Sequence, residues 1–242
     1  MSGHSHWAGI KHKKGLNDAK KGKIFTKHGK LISIAARDGG GNPDGNFQLR
    51  LAIENARAEN MPKENIERAI KRGTGELGGE EIVEIMYEAM GPNGIMMLIK
   101  TATDNRNRTV SEIKSTLTKN GGKMGEQGSA MWNFEQVGNI YVNAAGKDID
   151  EVDLIAIDAG AKDTKLEENS LVVFTEPKDL QMVQENLLKN DLQILESGLI
   201  YIPRATVELD AETKLDYEKL LEALDDQDDV QEIYDNVSQK EQ

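Results

Sequence analysis

The chain contains no cysteine. Disulfides, thiolate zinc sites, iron–sulfur ligation and cysteine nucleophiles are excluded together. Aromatic residues are scarce, with four Phe, five Tyr and two Trp among 242 residues. That is too few to fill one large aromatic-lined sandwich or barrel. No apolar run approaches the ~20 residues of a membrane span. The first residues are polar and basic, without the apolar stretch of a secretory signal. A soluble, reducing, cytoplasmic setting is expected. Hydrophobic residues make up 38% and recur in runs, which argues against whole-chain disorder.

Charge is divided unevenly. Residues 1–75 hold 15 Lys/Arg against 7 Asp/Glu, and residues 76–242 hold 15 against 35. The net charge of −12 therefore hides a basic head on an acidic body. Such asymmetry points to a polyanion-binding segment.

Residues 1–15 carry Gly3, Gly9 and Gly15 among His4, His6, His12, Lys11, Lys13 and Lys14, and read as an extended arm. From Asn17 to Arg37 a helix is predicted. Ile24, His28, Leu31, Ile32 and Ala35 share one face, and Lys20, Lys23, Lys27, Lys30 and Arg37 form a stripe on another. Further helices are expected at 46–59 and 62–73, the last opened by Pro62. Lys63, Arg68, Lys71 and Arg72 lie on the exposed side of this small bundle. A Gly-rich linker, 73–79, marks a boundary.

The period then changes from 3.6 to 2. Val83, Ile85 and Tyr87 alternate with Glu84, Met86 and Glu88, as in a half-buried strand. Pro92-Asn93-Gly94 is a turn, and 95–102 returns to make a hairpin. Helices are expected near 107–120, 149–159, 177–189 and 211–224. Strands are expected at 131–134, 140–142, 171–174, 192–195, 199–202, 206–209 and 230–237, with Thr175 and Asp210 as helix caps. The order of elements predicts an α+β fold with helices on one face of antiparallel or mixed sheets.

Chemistry-bearing motifs are few. Gly73-Thr74-Gly75-Glu76-Leu77-Gly78 matches a dinucleotide fingerprint in letters, but a helix precedes it and a strand follows, the reverse of what a pyrophosphate site needs. His4, His6 and His12 lie on the arm and do not supply four fixed zinc ligands. If Met1 is removed, Ser2-Gly3-His4 can enclose Cu(II) or Ni(II) in a square plane, an adventitious property. A hydrolase built on these histidines would lack rigid support. Neither catalytic nor metal-binding residues are assigned, and no cofactor or small-molecule substrate is expected. Asp225-Asp226-Gln227-Asp228-Asp229 reads as a solvated loop. In Thr103–Thr109, Asp104 or Asn105 can cap the following helix. Arg106 and Arg108 oppose the helix dipole there, which leaves an anion contact or an interdomain salt bridge.

These residues resemble one family. Gly3-His4-Ser5-His6-Trp7, Ile10-Lys11-His12, Asn60-Met61-Pro62-Lys63 and Asn65–Ile70 are similar to the YebC/PmpR family. So are Tyr87-Glu88, Gly91-Pro92, Thr103–Thr109, Gly121-Gly122, and Gly128-Ser129 ahead of Trp132 and Phe134. The chain departs at His6, where the family usually has Lys, and at Ala89-Met90, where it usually has Gly and an aromatic. The resemblance implies a three-helix domain followed by two α/β sandwich-like domains, one inserted in the other. The boundaries expected are 1–79, 80–128 with 204–242, and 129–203. It also implies a non-enzymatic regulator of gene expression, either a DNA-binding transcriptional regulator or a translation factor acting on ribosomal RNA at the ribosome, as does the related mitochondrial translational activator.

The nucleic-acid contacts expected are His4, His6, Trp7, Lys11, Lys13, Lys14, Lys20, Lys23, Lys27, Lys30, Lys63, Arg68, Lys71, Arg72, Arg106 and Arg108. Backbone phosphates would be neutralised without base readout. Trp7 could stack on an unpaired base. A protein-binding adaptor using the acidic body is the other alternative. A monomer is expected.

Overall fold

The computed structural model describes residues 18–167 and 169–238, and of 18–20 the backbone only. The order begins with α1 (Asp18–Gly39), α2 (Phe47–Ala58) and α3 (Lys63–Gly73). Strands and helices then mix: β1 (Val83–Met90), β2 (Met96–Thr103), α4 (Arg106–Lys119), β3 (Lys123–Met124) and β4 (Phe134–Asn143). There follow α5 (Ile149–Ala159), β5 (Asp163–Glu167), β6 (Ser170–Thr175), α6 (Leu180–Lys189), β7 (Ile194–Pro203), α7 (Ala211–Asp225) and β8 (Val230–Asp235). A three-helix bundle therefore precedes an α+β region.

The bundle closes on Ile32, Ala36, Leu49, Ile53, Ala56, Met61, Ile66 and Ala69. Asn46 fixes the α1–α2 corner. Its Oδ1 accepts from the Leu49 amide at 3.0 Å, capping α2, and its Nδ2 donates to the carbonyls of Ala35 and Gly40. Within α1, Ile32 and Ala36 enter the bundle core, Ile24 and Leu31 line a cleft facing the sheets, and Ala35 borders both. One helix thus serves two apolar contacts, which a single amphipathic arc does not distinguish.

Two four-stranded antiparallel sheets follow, in the orders β3-β1-β2-β8 and β5-β6-β4-β7. Helices α4 and α7 cover one face of the first sheet around Ile99, Ile113, Leu117, Tyr217 and Leu221. Helices α5 and α6 cover the second around Ile140, Val152, Ala156, Val173 and Leu187. Leu51 and Phe47 of α2 also reach this second core. Leu98, Phe134, Tyr234, Ile200 and Tyr201 join the two sheets. The rings of Tyr201 and Tyr234 meet edge to face, 5.4 Å apart.

Several expectations change locally. Residues 131–133 form a 3-10 turn rather than a strand, and β4 continues without a break to Asn143. The segments 192–195 and 199–202 belong to one strand, β7. At 206–209 only one parallel bridge forms, between Val207 and Val237. Thr175 hydrogen-bonds the Glu176 carbonyl instead of capping a helix, and α6 begins at Leu180 after a 3-10 turn. Asp210 caps α7 as expected, accepting from Thr213 at 2.8 Å.

Strand β4 and the segment after β7 are fastened side by side at Asn133. Its carbonyl accepts from Arg204, and its side-chain amide exchanges two hydrogen bonds with the backbone of Ala205.

Candidate nucleic-acid interface

His4, His6, Trp7, Lys11, Lys13 and Lys14 lie outside the described residues, as does the side chain of Lys20. The remaining candidates fall into three groups.

On α3, Lys63, Arg68, Lys71 and Arg72 are all exposed. Their tethers are weak. Lys63 is 3.6 Å from Glu67, Arg68 donates to Asn65, and Arg72 is 3.4 Å from Asp104. Lys71 makes no ion pair among the described residues. Exposed pairs of this kind contribute ~0–1 kcal/mol and yield readily to a competing anion.

The α1 row is different. Lys23 Nζ donates to Asp226 Oδ1 at 2.7 Å and to the Asp226 carbonyl at 3.0 Å. Lys27 does the same with Asp225, at 2.7 and 3.2 Å. Lys30 bridges Asp229 Oδ1 at 2.6 Å and the Asp228 carbonyl at 2.7 Å. The carboxylates stand where α7 ends, so the helix's unpaired carbonyls add negative potential. The side chains of Lys27 and Lys30 are only 12% and 14% exposed, so the stripe is not a solvated face. The Asp225–Asp229 segment is likewise not a solvated loop: Asp229 is buried.

Asp229 is a hub. Its Oδ2 accepts from Arg108 at 2.7 Å, Thr109 at 2.7 Å and Thr103 at 3.1 Å. Burial pushes this carboxyl up, but hydrogen bonds from Arg108, Lys30 and Thr109 outweigh it and hold the pKa at about 2. Asn105 caps α4, accepting from the Arg108 amide at 3.1 Å. Arg108 therefore makes an internal ion pair, shared with Asp104 at 3.1 Å. Arg106, exposed at the first position of α4, makes no hydrogen bond or ion pair among the described residues. It borders a cleft of about 1580 Å³ between α1, α2 and the two sheets.

Two features escaped the sequence. Glu88, at an outward position of the expected alternation, is buried. Its carboxylate collects the amides of Gly128, Ala130 and Met131 at 2.6, 2.6 and 2.8 Å. Burial alone would raise the Glu88 pKa, but these three donors bring it below the usual value. The loop so anchored presents Trp132, 63% exposed, with its indole N–H held by the Ser129 carbonyl at 3.2 Å. Among the described residues no group of three or more His, Cys, Asp or Glu is placed to hold a metal ion. No helix among them is long and apolar enough to cross a membrane.

A helical N-terminal domain with two further domains is what family comparison finds. Residues 5–76 match the model described as the TACO1/YebC protein N-terminal domain, and 82–237 match the TACO1/YebC second and third domain. The chain is 48% identical over 238 residues to a "Probable transcriptional regulatory protein" of Thermoanaerobacter pseudethanolicus, covering 98% of this chain and 97% of that one. It is 49% identical over 240 residues to a protein of the same description from Thermotoga maritima, covering 98% and 93%. The crystal structure of a conserved hypothetical protein from Aquifex aeolicus superposes with a TM-score of 0.90 at 44% identity, covering 98% of each chain. The class is thus that of probable transcriptional regulatory proteins with a three-helix head and a two-sheet body. Within it, the chain belongs to the YebC/TACO1 family.

Proposed function

We propose that this protein is a non-enzymatic regulator of gene expression that binds nucleic acid through its basic helical head. We further propose that the chain is organised as 1–79, 80–128 with 204–242, and an inserted unit at 129–203. The observation that carries the binding reading is the α3 surface, where Lys63, Arg68, Lys71 and Arg72 are exposed and only loosely tethered. Cations in that state can trade weak partners for phosphates and release counterions. Duplex DNA is the first target we propose, in keeping with relatives described as probable transcriptional regulatory proteins. A second reading, unpaired ribosomal RNA, is supported by Trp132, whose exposed ring suits base stacking.

Fluorescence anisotropy with a labelled duplex and a labelled ribosomal-RNA fragment, each across a salt series, tests both. Replacing Lys63, Arg68, Lys71 and Arg72 by Gln should flatten the log–log salt slope by about 3 units, at ~0.7–0.9 per phosphate contact. An unchanged slope with intact circular dichroism would remove α3 from the interface. Binding of the RNA alone would favour the ribosomal target.

A further inference from the structure

The α1 lysines and the loop between α7 and β8 stand in a relation that the binding reading does not by itself require. Three ammonium groups, spaced one helical turn apart, are each held by a carboxylate oxygen and a main-chain carbonyl of 225–229. An ammonium has three protons to donate, and two are already committed at each site. A phosphate oxygen would need the same donors. The loop offers three carboxylate and three carbonyl oxygens, acceptors that compete for the donors a phosphate backbone would use.

The row is graded along its length. At the outer end the Asp226 side chain is 81% exposed, and at the inner end Asp229 is 5% exposed. The loop is also fixed to its own unit without any help from α1. Asp229 keeps Arg108, Thr109 and Thr103, and Gln227 Nε2 donates to Thr116 Oγ1 at 2.8 Å. Separation therefore needs no refolding of the loop. The lysines leave it, beginning at Lys23, whose exposed pair is the most easily screened.

We propose that residues 225–229 are a built-in phosphate mimic that occupies the α1 lysine row, so that loop docking and polyanion binding at α1 are mutually exclusive. This rests on the binding reading above and adds its regulation. The protein then has two classes of phosphate contact. The α3 cations are always available, and the α1 lysines are released only when a polyanion outcompetes the loop.

Water-soluble carbodiimide joins an ammonium to a carboxylate with no spacer, so the free protein should give peptides cross-linked between Lys27 and Asp225 and between Lys23 and Asp226. The duplex or ribosomal-RNA fragment, whichever binds, is then added at ten times its Kd. Mutually exclusive occupancy should lower the cross-link yield about tenfold. In parallel, Asp225→Asn/Asp226→Asn should raise affinity for that probe about three- to tenfold. The reference is Asp150→Asn/Asp158→Asn, which removes the same charge from exposed positions of α5, a helix of the second sheet's core. Failure to form these cross-links without nucleic acid would overturn the proposal. So would an unchanged yield when anisotropy reports the probe bound, or equal affinities for the two double variants. These three results leave the binding reading intact. Absence of binding to either probe, by the wild type and both variants, would overturn the binding reading and the competition together.

Discussion

Lys30 Nζ lies 2.6 Å from Asp229 Oδ1, joining the first helix of the head to the start of the last strand of the body. The other oxygen of that carboxylate is taken by Arg108, Thr109 and Thr103. The two ends of this aspartate do different work, one holding the head and one holding α4 to β8.

Asp229→Asn should therefore be costly. It removes the charge that compensates Arg108 and Lys30 and puts an amide N–H where an acceptor is needed. Truncating one partner of a buried pair costs ~3–5 kcal/mol. Asp226→Asn, at the exposed end, should cost less than ~1 kcal/mol. Urea unfolding midpoints should separate the two variants clearly. Equal midpoints would contradict the graded description.

The same residue sets an acid limb of stability. Its folded pKa, about 2, lies below the ordinary aspartate value of 3.8. As pH falls, the unfolded chain takes up this proton first. The stabilisation is complete above about pH 5 and is lost as pH falls from there through 2, amounting to about 2 kcal/mol. Asp229→Asn should flatten this part of the pH–stability curve. A parallel curve, merely lowered, would show that the group contributes no linkage.

Glu88→Gln preserves size but replaces one acceptor oxygen with a donor facing backbone amides. A buried donor left without a partner costs ~1–3 kcal/mol. The effect should concentrate in the loop. Hydrogen exchange at Gly128, Ala130 and Met131 should accelerate more than exchange in α5 or α6. Uniform acceleration would mean that the carboxylate is not a local anchor.

Gly73→Ala tests the head. A Cβ built on Gly73 would lie 2.2 Å from the Ser33 carbonyl oxygen and 2.9 Å from the Ala36 Cβ. Helices α1 and α3 must separate to admit it, at a cost of ~1–3 kcal/mol. The thermal midpoint should fall. No change would show that the contact between α1 and α3 is looser than the backbones indicate.

Local patterning made the bundle, the β1–β2 hairpin and most helices legible. It failed where a residue answers to a distant partner. Strand β4 reads as two pieces because Glu135, Gln136, Gly138 and Asn139 interrupt the apolar run, yet Gly138 is there because a Cβ would strike Thr175 Oγ1 at 2.1 Å. Strand β5, with the sequence Asp-Thr-Lys-Leu-Glu, is too polar to announce itself, as suits an edge. Glu88 alternates correctly but faces the 128–131 loop rather than water. The alternatives left open at Arg106 and Arg108 separate by position, since Arg108 reaches Asp229 and Arg106 does not. The α1 lysines and their aspartates are 198 to 203 residues apart, beyond any helical or strand period. Only the matching of two runs of opposite charge could have signalled them.

The fastening at Asn133 has a consequence for how such a chain can be assembled in evolution. The path out to the second sheet and the path back from it run together where Asn133 meets Arg204 and Ala205. Residues 134–203 are held there and also along the seam where Phe134, Ile200 and Tyr201 meet Leu98 and Tyr234. Losing the excursion would bare Leu98 and Tyr234 of the first sheet. A lineage can therefore lengthen the outer connections of the second sheet, but can shed its strands only by rewriting the face of the first.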